Sequence, residues 1–536
     1  MLRVCNVPYL SLPSKSFTSA SMKHLNYKLC EIYRRFVHVE TKQKKRPQWL
    51  KPTGYETNVT VYNPVAKCKV PLISKNRNLL TWYVCGPTVY DSAHIGHAAT
   101  YVKSDIIRRI LTDHFNVNIV MAMCITNIDD KIITRSRETK RNYKDLAEYY
   151  ENEFIEDMKT LNVAKPHLYC RVTDYVPQII QFVNNIVDKG NAYVAKGGSV
   201  YFDTSKYNMY GKLSTPCTDG SHPDKKSALD FSLWKAAKEG EPFWESPWGR
   251  GRPGWHIECS TIASTVFGNS VDIHSGGIDL AFPHHENEEA QSCSYHEVEQ
   301  WVNYWLHCGH LFLENVKMSK SLKNTISIRE FLKKHTANQL RMLCLLSNYK
   351  TGIKYSEDIM SNAVNLLNKV EHFIHDCDNY TAGRWSTGNV DEVTLLRCLD
   401  ETISDVNTSL ADDFNTAQAM RSLMNLVDTG NKMLHDSQVN TSIQGIPAVA
   451  AVSNYISTMC SKLGISYSTV ADEHRTNTII EYFVKFRNTI RNRAIEQEAK
   501  DKILLAACDE ARLNLLASGI TIKDFKSEST WSVKKY

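Results

Sequence analysis

Two histidines three residues apart are the first candidates for chemistry in this sequence. They lie in the string His94-Ile95-Gly96-His97, which follows a β-branched and aromatic run that stops at Gly86-Pro87. If a helix begins at this string, both imidazoles share one of its faces, and Gly96 lets a phosphate approach the backbone. Helix N-termini favour anions, so the imidazoles could hydrogen-bond a phosphate that gains charge during a displacement. Histidines also cap helices, and the string alone does not separate the two roles.

A metal site is indicated by four residues that are far apart along the chain. Cys85, Cys259, His284 and Glu288 offer two thiolates, an imidazole and a carboxylate, which is a ligand set typical of zinc. His284 is preferred because it shares a helix face with Glu288 if a helix begins at Pro283. The other candidates for the imidazole position are His256, His274 and His285. Free cysteines are also common as plain buried residues, so the spacing does not establish a site.

Three further strings have the composition of ligand-binding segments. Residues 246–259 concentrate glycine, proline and two tryptophans before a helix signal, although a rigid structural loop has the same composition. The string 317–321 contains Lys317 and Lys320, whose compact charges on flexible stems suit phosphate contacts, and it also matches a solvated surface loop. A polar turn at 127–131 leads into a helix, where Asp129 and Asp130 complement the helix dipole and Lys131 could equally reach a nucleotide phosphate.

The pattern around these residues predicts the scaffold that positions them. Residues 79–85 form a buried strand, apolar residues from Val102 to Leu111 recur at helical spacing, and residues 118–126 form a second strand. Ligands of such a βαβ unit bind at the carboxyl ends of its strands, where Cys85 and the string 94–97 fall. A hairpin signal at Lys196-Gly197-Gly198 indicates an insertion over about 160–245 of a larger α/β domain. Beyond 321 the pattern is helical to about Asp524, with Ser327 and Glu330 as a capping box.

Composition limits the class of protein. At 536 residues the chain has room for two or three domains, and its formal charge of +6 is compatible with an RNA partner. The 15 cysteines include no CxxC pair, which argues for a reducing compartment, and we expect no membrane partner because no apolar run is long enough to span a bilayer. Residues 1–50 have no acidic residue before Glu31 and are predicted to be a transit peptide and linker, or else a weakly basic tail.

Five strings that occur in order together closely resemble those of cysteinyl-tRNA synthetase, a family of class I aminoacyl-tRNA synthetases. They are Tyr83-Val84-Cys85-Gly86-Pro87-Thr88-Val89-Tyr90, His94-Ile95-Gly96-His97, Pro253-Gly254-Trp255-His256-Ile257-Glu258-Cys259, Pro283-His284-His285-Glu286-Asn287-Glu288 and Lys317-Met318-Ser319-Lys320-Ser321. The resemblance extends over about 58–531, and the leader resembles that of a mitochondrial form. The sequence departs from the family at two positions: Lys323 stands where the family often has Gly, and Thr134 stands where it often has Lys.

The resemblance implies a fold and a set of domains. The fold class is an α/β Rossmann-type catalytic domain with an inserted subdomain, followed by an all-α C-terminal region. The catalytic domain would cover 51–345, a helical bundle domain 346–470 and a C-terminal anticodon-binding region 471–536. In that last region Asp509, Arg512, Asp524 and Trp531 resemble the family's residues, with Trp531 able either to stack on a base or to support the fold.

The resemblance also implies the ligands and their residues. One zinc ion per chain would be bound by Cys85, Cys259, His284 and Glu288. The cysteine pocket would contain Gly86, Thr126, Trp255 and His284. The ATP-binding residues would be His94, Gly96, His97, Lys131 and Lys320. The catalytic residues would be His94, His97, Lys317 and Lys320. The partners would be L-cysteine, tRNA-Cys and ATP as its magnesium complex, in the mitochondrial matrix.

Discrimination of cysteine from serine explains why such an enzyme would use zinc. Shape recognition of so small a difference gains about 1–3 kcal/mol, whereas translation needs on the order of 10⁴-fold, or roughly 5 kcal/mol. Zinc prefers a thiolate to a hydroxyl, so no separate editing domain is expected. Four protein ligands normally mark a closed structural site, and Glu288 is the ligand expected to give way to the substrate sulfur.

Two other functions fit part of the pattern. A ligase that transfers the cysteinyl group to an amino-sugar would resemble the catalytic half, but the long helical C-terminal region favours tRNA. A catalytically inactive RNA-binding protein is disfavoured by the intact strings. Charging of tRNA-Cys, with serine as a control, separates these possibilities.

Overall fold

The structure is a computed structural model that describes residues 48–77, 79–217, 223–313, 316–317, 325–384, 390–436, 444–465, 469–496, 501–525 and 528–533. Its strands are β1 (Tyr55–Asn63), β2 (Cys68–Ser74), β3 (Leu79–Val84), β4 (Asn118–Ile125), β5 (Leu168–Arg171), β6 (Ala192–Val194), β7 (Val200–Phe202), β8 (Phe231–Ala236), β9 (Gly251–Pro253), β10 (Val271–Gly277), β11 (Val302–Cys308), β12 (Leu311–Leu313), β13 (Val316–Lys317), β14 (Ile353–Tyr355), β15 (Ile520–Phe525) and β16 (Glu528–Val533). Its α-helices are α1 (Ile95–Arg109), α2 (Asp130–Thr139), α3 (Tyr143–Thr160), α4 (Val176–Asp188), α5 (Trp255–Phe267), α6 (Glu286–His296), α7 (Ile328–Leu332), α8 (Ala337–Leu345), α9 (Glu357–Thr381), α10 (Glu392–Ala411), α11 (Thr416–Leu434), α12 (Ile446–Lys462), α13 (Thr469–Glu496) and α14 (Lys502–Ala517). Among the described helices, none has the length and apolarity required to cross a bilayer.

A five-stranded parallel sheet in the order β11-β10-β3-β4-β5 forms the centre of the α/β region. The chain passes from β3 outward to β5 and later returns to the other side of β3 with β10 and β11, so the strand order reverses between β3 and β10. Ligands of open α/β sheets bind at such a switch point, at the carboxyl ends of the strands. The predicted βαβ unit is confirmed as β3, α1 and β4, and the parallel core confirms the predicted Rossmann-type fold.

Alternation of side chains along β3 explains why both faces of the sheet are covered. Leu80, Trp82 and Val84 contribute to one hydrophobic core, and Tyr83 and Cys85 contribute to the other. Successive side chains of a strand point to opposite faces, and a parallel sheet is stable when helices cover both. Cys85 therefore leaves the strand on the face that the inserted segment covers.

The inserted segment contains an antiparallel sheet in the order β6-β7-β8-β9. The hairpin predicted around Lys196-Gly197-Gly198 joins β6 to β7, with Gly198 at φ +84°. β9 ends at Pro253, and α5 begins two residues later. The insertion therefore leads directly into the helix that carries Cys259.

The helices α9 to α12 belong to the hydrophobic core that covers the face of the parallel sheet opposite the insertion. Their buried residues Leu367, Val406, Leu426 and Val452 belong to the same core as Trp82 of β3. The predicted capping box is confirmed, since Ser327 and Glu330 hydrogen-bond each other's backbone N–H at the start of α7. This continuous core joins the helical region to the catalytic sheet.

The end of the chain differs from the all-α prediction. Helix α14 ends at Ala517, and β15 and β16 pair as an antiparallel hairpin over 520–533. Gly519 has φ +81°, which ends the helical backbone, and the β-branched residues Ile520, Thr521 and Ile522 suit a strand. Ile522 packs with Ile480 and Val484 of α13, so the hairpin is stabilised by a contact that local periodicity does not reveal.

Candidate active site

A cavity of about 480 Å³ lies at the carboxyl ends of β3 and β10. Its walls contain several of the predicted residues together with others that the sequence did not single out. The lining residues that matter for ligands are Cys85, Gly86, His94, Gly96, His97, Lys131, Asp279 and His310. The structure thus brings four of the five predicted nucleotide residues, His94, Gly96, His97 and Lys131, and one predicted metal ligand to one cavity at the switch point.

The two histidines of the string 94–97 cap helix α1. His94 is the N-cap residue, and its Nδ1 accepts from the backbone N–H of Gly96 at 3.1 Å. His97 Nδ1 accepts from the backbone N–H of His94 at 3.4 Å, and the two rings stack with centroids 3.7 Å apart. Both rings also line the cavity. Capping and contact with a ligand are therefore compatible functions of the same pair.

Lys131 lies in the first turn of α2 and lines the cavity. Asp129 caps this helix, accepting from the backbone N–H of Lys131 at 2.9 Å. Asp130 instead forms ion pairs with Lys235 of β8 and Arg252 of β9. The first turn of α2 therefore supplies one basic side chain to the cavity and one acidic side chain that binds the insertion.

The predicted metal ligands lie together and are buried. One ligand atom from each of Cys85, Cys259, His284 and Glu288 falls within 4.8 Å of the others. Cys85 Sγ lies 3.9 Å from Cys259 Sγ and 3.7 Å from Glu288 Oε1, and His284 Nε2 lies 3.1 Å from that oxygen. Two sulfurs bound to one tetrahedral zinc at about 2.3 Å each are about 3.8 Å apart. The donor set and its spacing therefore fit a zinc ion.

A second donor set overlaps the first. Cys85, His274, His285 and Glu288 also have ligand atoms within 4.8 Å of one another, so the two sets share a thiol and a carboxylate. His274 Nε2 lies 2.8 Å from Glu288 Oε2, and His285 Nε2 lies 3.4 Å from Cys85 Sγ. Zinc favours the set with two sulfurs. In that arrangement His274 and His285 serve as hydrogen-bond partners of two ligands.

An outer layer of histidines supports these imidazoles. His256 Nδ1 lies 2.9 Å from His284 Nδ1, and His307 Nε2 lies 2.8 Å from His285 Nδ1. Burial lowers the pKa of His256 and that of His307 to about 3, and it lowers the pKa of His284 and His285 well below the ordinary value. The imidazoles are therefore neutral at physiological pH, which is the form that binds a metal.

The residues predicted to form the cysteine pocket have the following surroundings. A Cβ on Gly86 would overlap the backbone oxygen of Cys124, so only glycine fits there. The Trp255 ring lies 4.3 Å from the His284 ring and is partly exposed, whereas Thr126 is buried, with its Oγ1 3.5 Å from Glu258 Oε2. Gly86 lines the cavity at the ends of β3 and β10, and Trp255 lines a separate cavity between the inserted sheet and the starts of α5 and α6.

The two predicted lysines of the string 317–321 are placed only in part. The backbone of Lys317 belongs to β13 and pairs with Phe312 of β12. Lys320 lies outside the described residues. Their predicted roles therefore depend on the sequence.

Several residues near the site were not singled out from the sequence. Asp279 and His310 follow the adjacent strands β10 and β11, and their Oδ1 and Nδ1 atoms lie 3.8 Å apart at the cavity wall. Glu258 is fully buried beside Thr126, where burial raises the pKa of its carboxyl well above the usual value. Both acidic residues stand next to strings that the sequence analysis named. Acidic residues are also common where helices begin, so only the folded structure shows that Asp279 lines the cavity and that Glu258 is buried beside Thr126.

A loop of the insertion, residues 210–213, forms hydrogen bonds with the start of helix α6. The Glu286 carboxylate accepts hydrogen bonds from the backbone N–H groups of 211–213 at 2.7–3.1 Å. The Tyr210 hydroxyl donates to Asn287 Oδ1 at 2.6 Å, and Lys212 pairs with Glu289 at 2.9 Å. The regular helix begins at Glu286 rather than at Pro283. These contacts bind the residues on both sides of Glu288 and so position the predicted carboxylate ligand.

The C-terminal residues singled out from the sequence make contacts within their own region. Arg512 lies 3.1 Å from Asp509 and 3.6 Å from Asp524, and half-buried Trp531 packs against the small core of α13 and β15. Asp524 also accepts two hydrogen bonds from Arg487, at 2.7 and 3.0 Å. The contacts support the alternative in which Arg512 and Trp531 stabilise the fold.

Comparisons with known proteins agree with this geometry. The sequence model of one protein family, described as the class I tRNA synthetase (C) catalytic domain, matches residues 72–365. A probable mitochondrial cysteine–tRNA ligase of Xenopus tropicalis is 43% identical over 521 residues, covering 90% of this chain and 91% of that protein. The cytoplasmic cysteine–tRNA ligase of Dictyostelium discoideum is 39% identical, covering 91% of this chain and 79% of that protein.

Solved structures show the same fold at low identity. Methionyl-tRNA synthetase of Mycobacterium tuberculosis, in complex with methionyl-adenylate, aligns with a TM-score of 0.53 at 14% identity, covering 72% of this chain and 89% of that one. The matched catalytic domain and the cysteine–tRNA ligases that align over nearly its whole length show that this chain belongs to the class I aminoacyl-tRNA synthetases, as a member of the cysteine–tRNA ligase family.

Proposed function

We propose that this enzyme activates L-cysteine with ATP to form cysteinyl-adenylate and then transfers the cysteinyl group to the 3'-terminal ribose of tRNA-Cys. The observation that carries the proposal is the placement of a buried tetrad, Cys85, Cys259, His284 and Glu288, beside a cavity that His94 and His97 also line. Such a tetrad recognises sulfur, and the cavity accommodates a nucleotide. Cys85 belongs both to the tetrad and to the cavity wall, so the residue that helps to choose the amino acid also borders the place where it is activated.

The cavity residues supply the contacts for activation. The cysteine carboxylate attacks the α-phosphate of ATP, and pyrophosphate leaves. His94 and His97, at the N-terminus of α1, would stabilise the charge that develops on the phosphate. Gly96 allows the phosphate to approach the backbone, and Lys131 would contact the nucleotide. Lys317 and Lys320 would bind the departing pyrophosphate of the magnesium complex.

The amino-acid pocket would hold one zinc ion on the tetrad. Bound zinc would supply a soft Lewis acid that favours a thiolate over the hydroxyl of serine. Trp255 and Gly86 would enclose the substrate, and burial of the tetrad excludes water. Glu288 would hold the ion through Oε1, and His274, whose Nε2 lies 2.8 Å from Oε2, would orient the carboxylate.

We infer that the enzyme acts in the mitochondrial matrix. Residues 1–30 contain no aspartate or glutamate, which suits a transit peptide. The relatives named mitochondrial, from Xenopus tropicalis and Dictyostelium discoideum, support this location, although cytoplasmic relatives are also similar. Import of the full-length chain into isolated mitochondria, followed by protease protection, tests it, and a protease-sensitive product would contradict it.

Replacing one sulfur ligand tests the function. Cys259→Ser should lower zinc affinity by about 100-fold or more, because a ligand matters at least as much as its hydrogen-bond partners. Cysteine-dependent ATP–pyrophosphate exchange should fall with it. The measurements are zinc content by mass spectrometry and exchange with cysteine or serine as substrate. Cys68→Ser, at an exposed cysteine, is the matched control. Full zinc retention with unchanged selectivity in Cys259→Ser would contradict the proposal.

A further inference from the structure

A lysine of α1 is buried and donates only to backbone carbonyl groups in the contacts that the structure gives it. Lys103 stands six residues after His97 and is 2% exposed. Its Nζ donates to the carbonyl oxygens of Gly309 at 3.3 Å, Tyr349 at 3.2 Å and Thr351 at 3.0 Å. An ammonium group has three donors, and burying it is costly unless they are satisfied. The three carbonyl oxygens therefore match this side chain.

The three carbonyl groups belong to two segments that meet at the base of the hairpin of β12 and β13. Gly309 joins β11 to β12, and its N–H donates to the carbonyl oxygen of Tyr349 at 2.8 Å. Tyr349 and Thr351 stand between α8 and β14, and β14 pairs with β12. β12 pairs in turn with β13, which contains Lys317. Lys103 therefore binds the backbone from which the strand with Lys317 extends.

The base of this hairpin is closely packed and borders the nucleotide cavity. A Cβ on Gly309 would overlap the carbonyl group of Thr351, so the two segments approach more closely than side chains allow. The next residue, His310, lines the cavity, and its carbonyl oxygen accepts from the N–H of Ile353 at 2.8 Å. A shift of this base would therefore move both the cavity wall and β13.

Residues 349–351 are also bound by the turn between α10 and α11. Asp413 is 2% exposed and accepts hydrogen bonds from the Tyr349 hydroxyl at 3.0 Å and from the backbone N–H of Tyr62 at 2.8 Å, and it pairs with Lys350. Asp413 and Phe414 have φ +58° and +54°, a strained backbone that persists only where surrounding contacts enforce it. The helical region and α1 therefore bind the same short segment.

We propose that Lys103 is a positioning residue for activation, fixing the strand that contains Lys317 relative to the helix that begins at His94 and His97. The proposal rests on the proposed function, in which the histidines stabilise the α-phosphate and Lys317 binds the departing pyrophosphate. These groups must contact adjoining phosphates at the same time, and a misplacement of about 1 Å slows such a step by about 100-fold. Lys103 itself contacts neither the cavity nor the metal cluster in the contacts given above.

Lys103→Met tests the proposal, because methionine retains much of the side-chain volume and leaves the three carbonyl oxygens without their donor. We expect kcat of cysteine-dependent ATP–pyrophosphate exchange to fall by about tenfold or more, with zinc content and the KM for cysteine unchanged. Lys354→Met, at an exposed lysine of β14, is the matched control and should exchange at the wild-type rate. Wild-type exchange in Lys103→Met would overturn the proposal, as would a loss of zinc that accounts for the lower rate.

A double-mutant cycle separates positioning of Lys317 from a general structural role. If Lys103 acts through Lys317, adding Lys103→Met to Lys317→Ala should lower exchange by less than about twofold further, because the affected contact is already absent. A general structural role would lower exchange by the same factor in both backgrounds, and that result would overturn the proposal.

Melting temperatures show whether each variant folds. If Lys103→Met does not fold, Lys103→Gln replaces it in the cycle, because its neutral amide still donates to part of the carbonyl set. We expect this variant to lower exchange by about threefold when Lys317 is present. Unchanged exchange in Lys103→Gln, or an equal factor in the Lys317→Ala background, would overturn the proposal. Absence of exchange in the wild type would instead refute the proposed function.

Discussion

At the scale of single residues, Gly86 shows how closely the backbone is packed at the end of β3. An added Cβ would overlap the backbone oxygen of Cys124, which belongs to the neighbouring strand β4. Since neither backbone can move without separating paired strands, the position tolerates no side chain. The residue before it, Cys85, is a predicted metal ligand, so the same constraint positions the thiol.

Gly86→Ala should therefore reduce both thermal stability and zinc content. Overpacking in a well-packed region typically costs about 1–3 kcal/mol. Gly197→Ala is the matched control, because a Cβ there meets no atom of the described residues within 4 Å. Thermal unfolding and zinc analysis of the two variants measure the difference. Equal melting temperatures would contradict the predicted close approach.

At the scale of elements, helix α6 depends on the insertion for its position. Its first residues are bound by the loop 210–213, and they flank Glu288. The Glu286 carboxylate accepts hydrogen bonds from three backbone N–H groups, and its removal would leave all three without that partner. The insertion therefore supports the metal cluster as well as bordering the cavity that Trp255 lines.

Glu286→Ala should lower the free energy of unfolding by about 3 kcal/mol, because buried N–H groups lose their acceptor. Amides of the loop 210–213 should then exchange hydrogen faster, and zinc affinity should fall as α6 shifts. Hydrogen exchange and chemical denaturation provide the measurements. Glu245→Ala, which removes an exposed ion pair with Arg250, should cost at most about 1 kcal/mol. Unchanged exchange in the loop would show that α6 does not need this support.

At the scale of the whole molecule, a buried arginine joins the catalytic sheet to the helical region. Arg341 of α8 lies 2.7 Å from Asp105 of α1 and donates to the carbonyl oxygens of Asn162, at 2.8 Å, and Leu463, at 3.5 Å. Leu463 follows α12, the last helix before the C-terminal region. At the opposite end of α1, His94 caps the helix and His97 lies in its first turn. One helix therefore contacts both the nucleotide cavity and the helical region.

Arg341→Met should destabilise the protein by about 3–5 kcal/mol, since it leaves the buried Asp105 carboxylate with fewer partners. Chemical denaturation measures the loss. Arg250→Met removes a cation from an exposed pair and should cost at most about 1 kcal/mol. Similar denaturation midpoints for both variants would argue against a structural role for the buried arginine.

The stability of the C-terminal region should depend on pH through Asp524. Hydrogen bonds from Arg487 hold the pKa of this carboxyl at about 2, below its ordinary value of 3.8. Because the folded-state pKa is depressed, its stabilisation is fully present above about pH 4 and is lost as the pH falls toward 2. Asp524→Asn should therefore cost about 1 kcal/mol at pH 7, because solvent screens part of the interaction. Hydrogen exchange of β15 and β16 measures this difference between the wild type and the variant. A difference that persisted at pH 2 would contradict the assignment.

The sequence by itself determined the local elements around the site and the set of side chains available for chemistry. β-branched and apolar runs predicted β3, α1 and β4, because strand and helix periodicity are properties of neighbouring residues. The five strings named the candidate nucleotide residues through their resemblance to the cysteinyl-tRNA synthetase family, and residue chemistry suggested the candidate metal ligands. The final hairpin was missed because its strands are stabilised by packing on α13, which no local pattern records.

Only the tertiary structure decided which distant residues meet. Cys85 contacts Cys259 and Glu288, which are 174 and 203 residues away, and the sequence alone left the imidazole open among four histidines. The folded chain places His284 with the two sulfurs, His274 and His285 against the ligands, and His256 and His307 outside them. The loop on α6 and the cavity that Trp255 lines arise in the same way, because both are made where the insertion packs on the sheet and packing depends on the whole chain.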